Sequence, residues 1–287
     1  MQAHRKAYSL RALCQALQVS RSGFYAWQSR PAFSCLLTHR IQQAHAVSWQ
    51  RTGAPAVTQA VRATGLTVSV RTVGRRMKGL GLRAKNSKPF CLTTDSKHHL
   101  PIAPNLLDRQ FKVNRPNQVW VGDITYIPTQ EGWLYLATLI DLYSRLVVGW
   151  QMSERIDRQF VVDALQAALL TRGNPKQVMV HTDRGSQYCS HEFVRLLQAN
   201  QRVQSMICKG NCWDNAVAES FFATLKKETI HGETFPTREQ AQSVIFEYIE
   251  CYYNRVRRHS SNGWVSPNNY EKLQKHPIEL TSLHFCG

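Results

Sequence analysis

Three runs rich in apolar, β-branched and aromatic residues follow one another between residues 118 and 153, with only short turns between them. They read QVWVGDITYIP, GWLYLATLIDLYS and RLVVGWQMS, and Pro128 closes the first. Runs of this length and composition predict three consecutive antiparallel strands. Downstream, Phe160, Val161, Ala164, Leu165, Ala168 and Leu169 recur at helical spacing over 158–172. QVMVHTD reads as a short buried strand, HEFVRLLQAN as a helix and VQSMIC as a further strand. WDNAVAESFFATLKKE reads as a helix with Asp214 near its start and lysines near its end, as the helix dipole favours. A last helix is expected from Arg238 to about Tyr253. The order β-β-β-α-β-α-β-α predicts an α/β domain, a mixed five-stranded sheet flanked by helices.

The first of these runs contains an acid. By period-two alternation Asp123 shares a face with Val119, Val121, Thr125 and Ile127. An unpaired carboxylate in such company is costly to bury, and a bound metal removes the cost. Asp183 ends QVMVHTD, where a side chain projects past the sheet edge, and Glu219 lies within the WDNAVAES helix, 35 residues separating the two. Any one of these acids alone reads as a surface or capping carboxylate. Three on separate elements are what a pair of divalent cations about 3.5–4 Å apart needs, to activate an attacking oxygen and stabilise a leaving oxygen in phosphodiester chemistry. Hard oxygen ligands favour Mg²⁺ or Mn²⁺ over zinc. Lys226 follows Glu219 on the same helical side, within reach of a phosphate beside the carboxylates. Arg184, Gln187 and Asn215 flank the acids and are candidates to position DNA or, equally, loop and cap residues. Asp141, in LIDLYSR, is a further acid near the sheet, supporting the site or purely structural.

The net charge of +17 is distributed unevenly. Residues 1–94 hold 15 Lys and Arg and no Asp or Glu, whereas the remainder holds 21 basic and 19 acidic residues. An acid-free segment that still carries apolar residues reads as a folded polyanion binder. Within it, Ser9 is placed to cap a helix with Leu10, Leu13 and Leu17 on its apolar face. Gln18-Val19-Ser20 makes a turn, and Ser20 caps a second helix through Trp27, so residues 1–34 are expected to form a helix-turn-helix-like unit. Residues 35–85 form a second basic helical unit. In it Ser69 precedes a helix with Val70, Val73, Met77 and Leu80 on one stripe and Arg71, Arg75 and Lys78 on another face, a candidate DNA contact. Gly79 and Gly81 favour its termination. Pro89, Pro101, Pro104 and Pro116 mark 86–117 as a linker, ahead of a catalytic core over 118–255 and a C-terminal basic segment over 256–287. Arg255, Arg257, Arg258 and His259 cluster after the last long helix, for phosphate contact or plain solvation.

Eight cysteines form no C-x-x-C pair, and Cys208 and Cys212 have the wrong spacing for a zinc ribbon, so packed, reduced thiols are expected. MQAHRKAYSLRAL lacks an apolar leader core, and no run reaches the ~18 apolar residues of a membrane span. A cytoplasmic protein without membrane partners is the expectation, associated with the nucleoid when bound.

The motifs VSRSGFYAW, VSVRTVGRRMKGLGLRAK, WVGDITYI, HTDRGSQYCS, GNCWDNAVAESFFATLKKE and YYNRVRRHSSNGWVSPNNYE, in this order and over nearly the whole chain, resemble an OrfB-type transposase of the insertion-sequence-three family. That family lies within the wider DDE transposase and retroviral integrase superfamily. The resemblance implies an RNase H-like core, with Asp123, Asp183 and Glu219 as the catalytic, metal-binding triad and Lys226 as the basic residue after the glutamate. It implies nicking of the element's ends with two Mg²⁺ or Mn²⁺ ions, then 3′-hydroxyl strand transfer, and double-stranded DNA as partner, both terminal inverted repeats and target. It further implies a homo-oligomer on DNA and an upstream-frame protein or its fusion as a second partner. Gly122 departs from the family, standing where threonine is common, as does Ser261-Asn262 in place of a small residue and leucine; the latter is expected to weaken packing of the C-terminal segment. The rival readings are an RNase H-type nuclease, against which the basic N-terminal units weigh, and a non-enzymatic DNA-binding relic, against which the intact acids weigh.

Overall fold

The computed structural model describes residues 7–28, 33–84, 100–207 and 215–275. The chain divides into two compact units, residues 1–83 and 84–287.

The first unit is helical: α1 (Leu10–Ala16), α2 (Arg21–Gln28), α3 (Phe33–Val47), α4 (Ala54–Arg62) and α5 (Val70–Gly79). Ser9 caps α1, its Oγ accepting from the Ala12 amide at 3.3 Å, and Ser20 Oγ accepts from the Gly23 amide at 2.9 Å at the start of α2. Between them Gln18 takes a left-handed φ of 52°, which makes the turn tight. The expected stripe of α1 is only partly buried. The helix ends at Ala16, so Leu17 is its C-cap and points outward, 56% exposed, while Cys14 is the residue buried. Helices α3, α4 and α5 share a core of Leu37, Ile41, Val57, Val61, Val68, Val73 and Met77. Ser69 caps α5, its Oγ accepting from the Thr72 amide at 3.1 Å. Val70, expected on the buried stripe, is 41% exposed, because as the first helical residue it lies beyond the core that Val73 and Met77 reach.

The second unit is built on a five-stranded sheet in the order β3-β2-β1-β4-β5. Its strands are β1 (Val119–Thr129), β2 (Gly132–Asp141), β3 (Val147–Ser153), β4 (Met179–Thr182) and β5 (Val203–Met206). The first three form the expected antiparallel meander, with a register shift at Leu139/Ile140. Strand β4 pairs parallel with β1 and with β5, giving the mixed RNase H-like sheet. Helices α6 (Arg158–Thr171) and α7 (His191–Ala199) bury Phe160, Leu165, Phe193 and Leu197 in one core with Trp120, Ala137, Leu139 and Val180. Asp157 and Ser190 cap these two helices through the Phe160 and Phe193 amides. Helix α6 lies so close to β3 that a Cβ at Gly149 would come within 2.5 Å of the Ala164 carbonyl oxygen.

Helices α8 (Ala216–Leu225) and α9 (Arg238–Phe246) pack against β1 and β2. Each runs on into a wider turn, over Lys226–Ile230 and Glu247–Tyr253, where the His231 amide donates to the Lys226 carbonyl and the Asn254 amide to the Ile249 carbonyl. These i→i−5 bonds are π-helical, a form that concentrates at functional sites.

Residues 100–117, read above as linker, carry no helix or strand but lie along the sheet. Leu107 is buried, and the Leu106 amide donates to Ser205 Oγ at 2.9 Å. The remainder of that stretch lies outside the described residues. After residue 256, α10 (Pro267–Lys275) docks on the sheet unit through buried Glu271, so the described part of the C-terminal segment is packed rather than free.

Candidate active site

The sheet register brings two of the three acids together. Gly122 of β1 pairs with Thr182 of β4, so Asp123 and Asp183 stand at the next step of two adjacent parallel strands, a spacing of roughly 5 Å between strands. Asp123 Oδ1 accepts from the Ile124 amide at 2.8 Å. Asp183 Oδ1 accepts from the Gly185 amide at 2.9 Å, and a Cβ at residue 185 would stand only 3.0 Å from that oxygen. Glycine therefore lets the chain turn beneath the carboxylate. Glu219 sits in the first turn of α8, the helix that crosses β1.

The electrostatics follow from this crowding. Burial, and then the Asp183 charge, push the Asp123 carboxyl well above the usual carboxylate range. Glu219 adds more weakly in the same sense, while the Ile124 amide and Lys226 oppose it. Burial also raises Glu219. Lys226 is 6% exposed, and burial brings its ammonium down to about 8 against the pull of Asp123. Its Nζ lies 4.8 Å from the centre of the Tyr126 ring, a cation–π contact. Tyr188 forms a wall of the same region: it is buried, and burial followed by the Asp183 and Asp123 charges raises its phenol well above normal. Neither tyrosine stands out in the sequence, because only the fold sets them beside the acids.

Among the described residues no group of three His, Cys, Asp or Glu side chains already forms a metal-binding cluster. The donor chemistry nonetheless fits a divalent cation. The oxygens are hard, and each carboxylate raises the cost of ionising Asp123, a cost that a cation between them reverses. The Asp183 charge acts on Asp123 more strongly than that of Glu219.

The other sequence candidates divide. Arg184 Nε donates to the Ile207 carbonyl at 2.6 Å, tying the loop after β4 to the end of β5. Gln187 lies in that loop, its Oε1 3.0 Å from where a Gly185 Cβ would be. Asn215 takes the N-cap position of α8 without making the side-chain cap bond. Asp141 is structural. It is fully buried, accepts from the Asn117 amide at 2.7 Å and the Tyr143 amide at 2.8 Å, and lies 3.7 Å from Arg172 Nη2. Arg172 in turn clamps Glu271 of α10 through Nη1 at 2.8 Å and Nη2 at 3.2 Å. The cluster after α9 is not a solvated basic patch: Arg257 is paired with buried Glu228 at 3.0 Å, and Arg258 Nη1 donates to the Trp264 carbonyl. Arg255 alone of that group is exposed. In the first unit Arg71, Arg75 and Lys78 are all exposed on α5, away from Val73 and Met77.

Three families match the chain. Integrase core domain matches residues 113–212 and, in a second form, 219–274, and HTH-like domain matches residues 34–90. The HTH-like match thus lies on the unit of α3, α4 and α5 and not on the earlier helix pair. The chain is 47% identical over 275 residues to the transposase InsF for insertion sequence IS3A of Escherichia coli (strain K12), covering 93% of this chain and 96% of that protein. It is 42% identical over 260 residues to a 31 kDa protein of insertion element IS600 from Shigella sonnei, covering 89% and 96%. Among solved structures, the HTLV-2 integrase catalytic core domain in complex with magnesium is 16% identical, covering 56% of this chain and 99% of that one, with a TM-score of 0.44.

Proposed function

The chain belongs to the transposases of the insertion-sequence IS3 family, and from that premise we propose that Asp123, Asp183 and Glu219 are the residues through which it nicks element ends and joins them to target DNA. The observation that carries the reading is the register: Gly122 of β1 pairs with Thr182 at the end of β4, so Asp123 and Asp183 follow side by side, with Glu219 on the helix packed over β1. When bound by these carboxylates, two Mg²⁺ or Mn²⁺ ions supply activation of the attacking oxygen and stabilisation of the leaving one.

The chain's own residues do the rest. Asp123 and Asp183 fix the floor of the site on rigid strands, and Glu219 approaches from α8. Lys226, held on the Tyr126 ring beside Asp123, sets a positive charge next to the incoming phosphate. Water and then the freed 3′-hydroxyl act as nucleophiles in turn, so no serine or tyrosine is needed as a covalent carrier. Arg184 steers the loop after β4 toward the same phosphates. Exposed Arg71, Arg75 and Lys78 of α5 contact duplex DNA at the element's terminal repeats. A homo-oligomer brings two ends together, with the upstream-frame protein or its fusion as a further partner.

The test is Asp183→Asn, which removes one anionic ligand without removing volume. Mg²⁺-dependent strand transfer should fall to background, while the circular dichroism spectrum and terminal-DNA binding stay as in the unaltered protein. Asp123→Asn and Glu219→Gln should behave alike. Substantial joining by any of the three folded variants overturns the assignment.

A further inference from the structure

A pocket of about 240 Å³ opens between α8, the turn joining β2 to β3, and the segment following α9. Arg145, Ser220, Thr224, Tyr253, Arg257 and His259 line it, and among the described residues no carboxylate does. Arg145 belongs to the turn, held there by its backbone amide donating to the Asp141 carbonyl at 2.8 Å, and its Nη1 is buried without a hydrogen-bond partner among the described residues. A guanidinium remains charged at any physiological pH, and a buried, unanswered N–H of this kind costs free energy that a ligand can recover. Arg257 reaches the pocket from the other side, its Nε and Nη2 satisfied by Glu228. His259 Nδ1 is 2.8 Å from Ser261 Oγ, a hydroxyl that also lies 3.2 Å from Asn262 Oδ1. Burial, then Arg257 and Arg145, bring His259 down to about 4, so the imidazole is neutral at pH 7. Burial pushes the Tyr253 phenol up to about 12, against the pull of both arginines. Among its described lining residues the pocket therefore holds two cations and otherwise neutral side chains, and the Glu228 carboxylate is committed to Arg257.

We propose that this pocket binds a phosphate ester, namely a backbone phosphate of the DNA on which Asp123, Asp183 and Glu219 act. The inference rests on the reading given under Proposed function for the identity of the ligand, but not for the chemistry of the pocket. What ties the two sites is α8. Val217, Ser220, Phe221 and Thr224 line the pocket at spacings of three and four, and Glu219 adjoins Ser220 on the same helix. A phosphate held by Arg145 and Ser220 fixes α8 against the strand of DNA passing it, and with it the approach of Glu219 to the two aspartates.

The experiment uses the full chain and reads the imidazole titration of His259 by NMR, assigned with His259→Gln, alone, with inorganic phosphate, and with a short terminal-repeat duplex. Duplex binding should raise the His259 pKa by at least one unit, because an anion offsets the two arginines. Arg145→Met should weaken duplex binding several-fold and lower the slope of log affinity against log salt by roughly one. Ser220→Ala, which leaves the turn untouched, should weaken it by a smaller factor and serves if Arg145→Met fails to fold. A shift with inorganic phosphate but none with duplex makes this a free-anion site and overturns the DNA assignment. An unmoved His259 together with unchanged affinity of both variants overturns the pocket altogether, even where strand transfer is intact. Conversely, absent strand transfer with a duplex-induced His259 shift leaves the pocket standing and removes the reading of the carboxylates.

Discussion

Gly122 precedes Asp123 on β1, and a Cβ built there would lie 2.9 Å from Leu139 Cδ2 and 3.0 Å from Thr182 Cγ2. Two methyl groups fill the place a side chain would take, so this strand is fitted to glycine. Gly122→Thr should destabilise the protein by about 1–3 kcal/mol in urea unfolding, as overpacking does. Because Thr182 directly precedes Asp183, strand transfer should fall as well. Unchanged stability would show that the two methyl groups swing aside. The second departure resolves differently from its expected weakening of the C-terminal segment. Asn262 is 2% exposed, and its Nδ2 donates to the Ser144 carbonyl at 2.5 Å. A polar side chain is well seated there because a carbonyl of the β2–β3 turn meets it. The three acids proposed for the site were legible in the sequence as candidates, since strand alternation, a strand end and a helix each singled one out. The environment of Lys226 and His259 was not, because Tyr126, Arg145 and Arg257 reach them only through the fold.

The elements of the core were legible for the same local reason: apolar runs of strand length with short turns, then helical spacing. Parallel pairing of β4 with β1 is not a local property, as nothing in QVMVHTD specifies its neighbour. The helix ends also escape periodicity, which carries the stripe of α1 on to Leu17 and that of α5 back to Val70, whereas burial stops short of both. Docking of α10 was likewise hidden, since it depends on one residue of α6's C-cap. Arg172 Nε donates to Asn117 Oδ1 at 2.7 Å while its two terminal nitrogens hold Glu271, and Ser144 Oγ donates to the same carboxylate at 2.6 Å. This joins the segment before β1, the β2–β3 turn, α6 and α10 in a single buried network. Arg172→Met keeps an unbranched apolar stem but leaves Glu271 and Asp141 without their cation. Removing one partner of a buried ion pair costs about 3–5 kcal/mol, and the loss should appear as a lower urea midpoint with early proteolysis near α10. A variant as stable as the original would mean that Ser144 and the backbone amides suffice.

At the scale of the whole molecule, buried titratable groups of opposite sense set how stability depends on pH. Asp141 is raised from 3.8 to about 6, chiefly by burial. The folded state therefore holds this proton more tightly than the unfolded chain, and stability falls as pH rises from about 4 to 6. His259 is lowered from 6.5 to about 4, chiefly by burial. Here the unfolded chain holds the proton more tightly, and stability rises as pH goes from about 4 to 6.5. At 1.36 kcal/mol per unit each contribution is roughly 3 kcal/mol, and over most of the window they oppose one another. Asp123 and Glu219, both raised, act in the sense of Asp141. Urea unfolding at a series of pH values between 4 and 6.5 separates them. Asp141→Asn should rise with pH more steeply than the unaltered protein, since the contribution of His259 is then less opposed. His259→Gln should rise less steeply or fall. Asp141→Asn also loses an acceptor for the Asn117 or Tyr143 amide, which lowers its stability at every pH, so the slope and not the level is the readout. Two variants whose slopes both match the unaltered protein would show that neither group is as buried in solution as the fold places it.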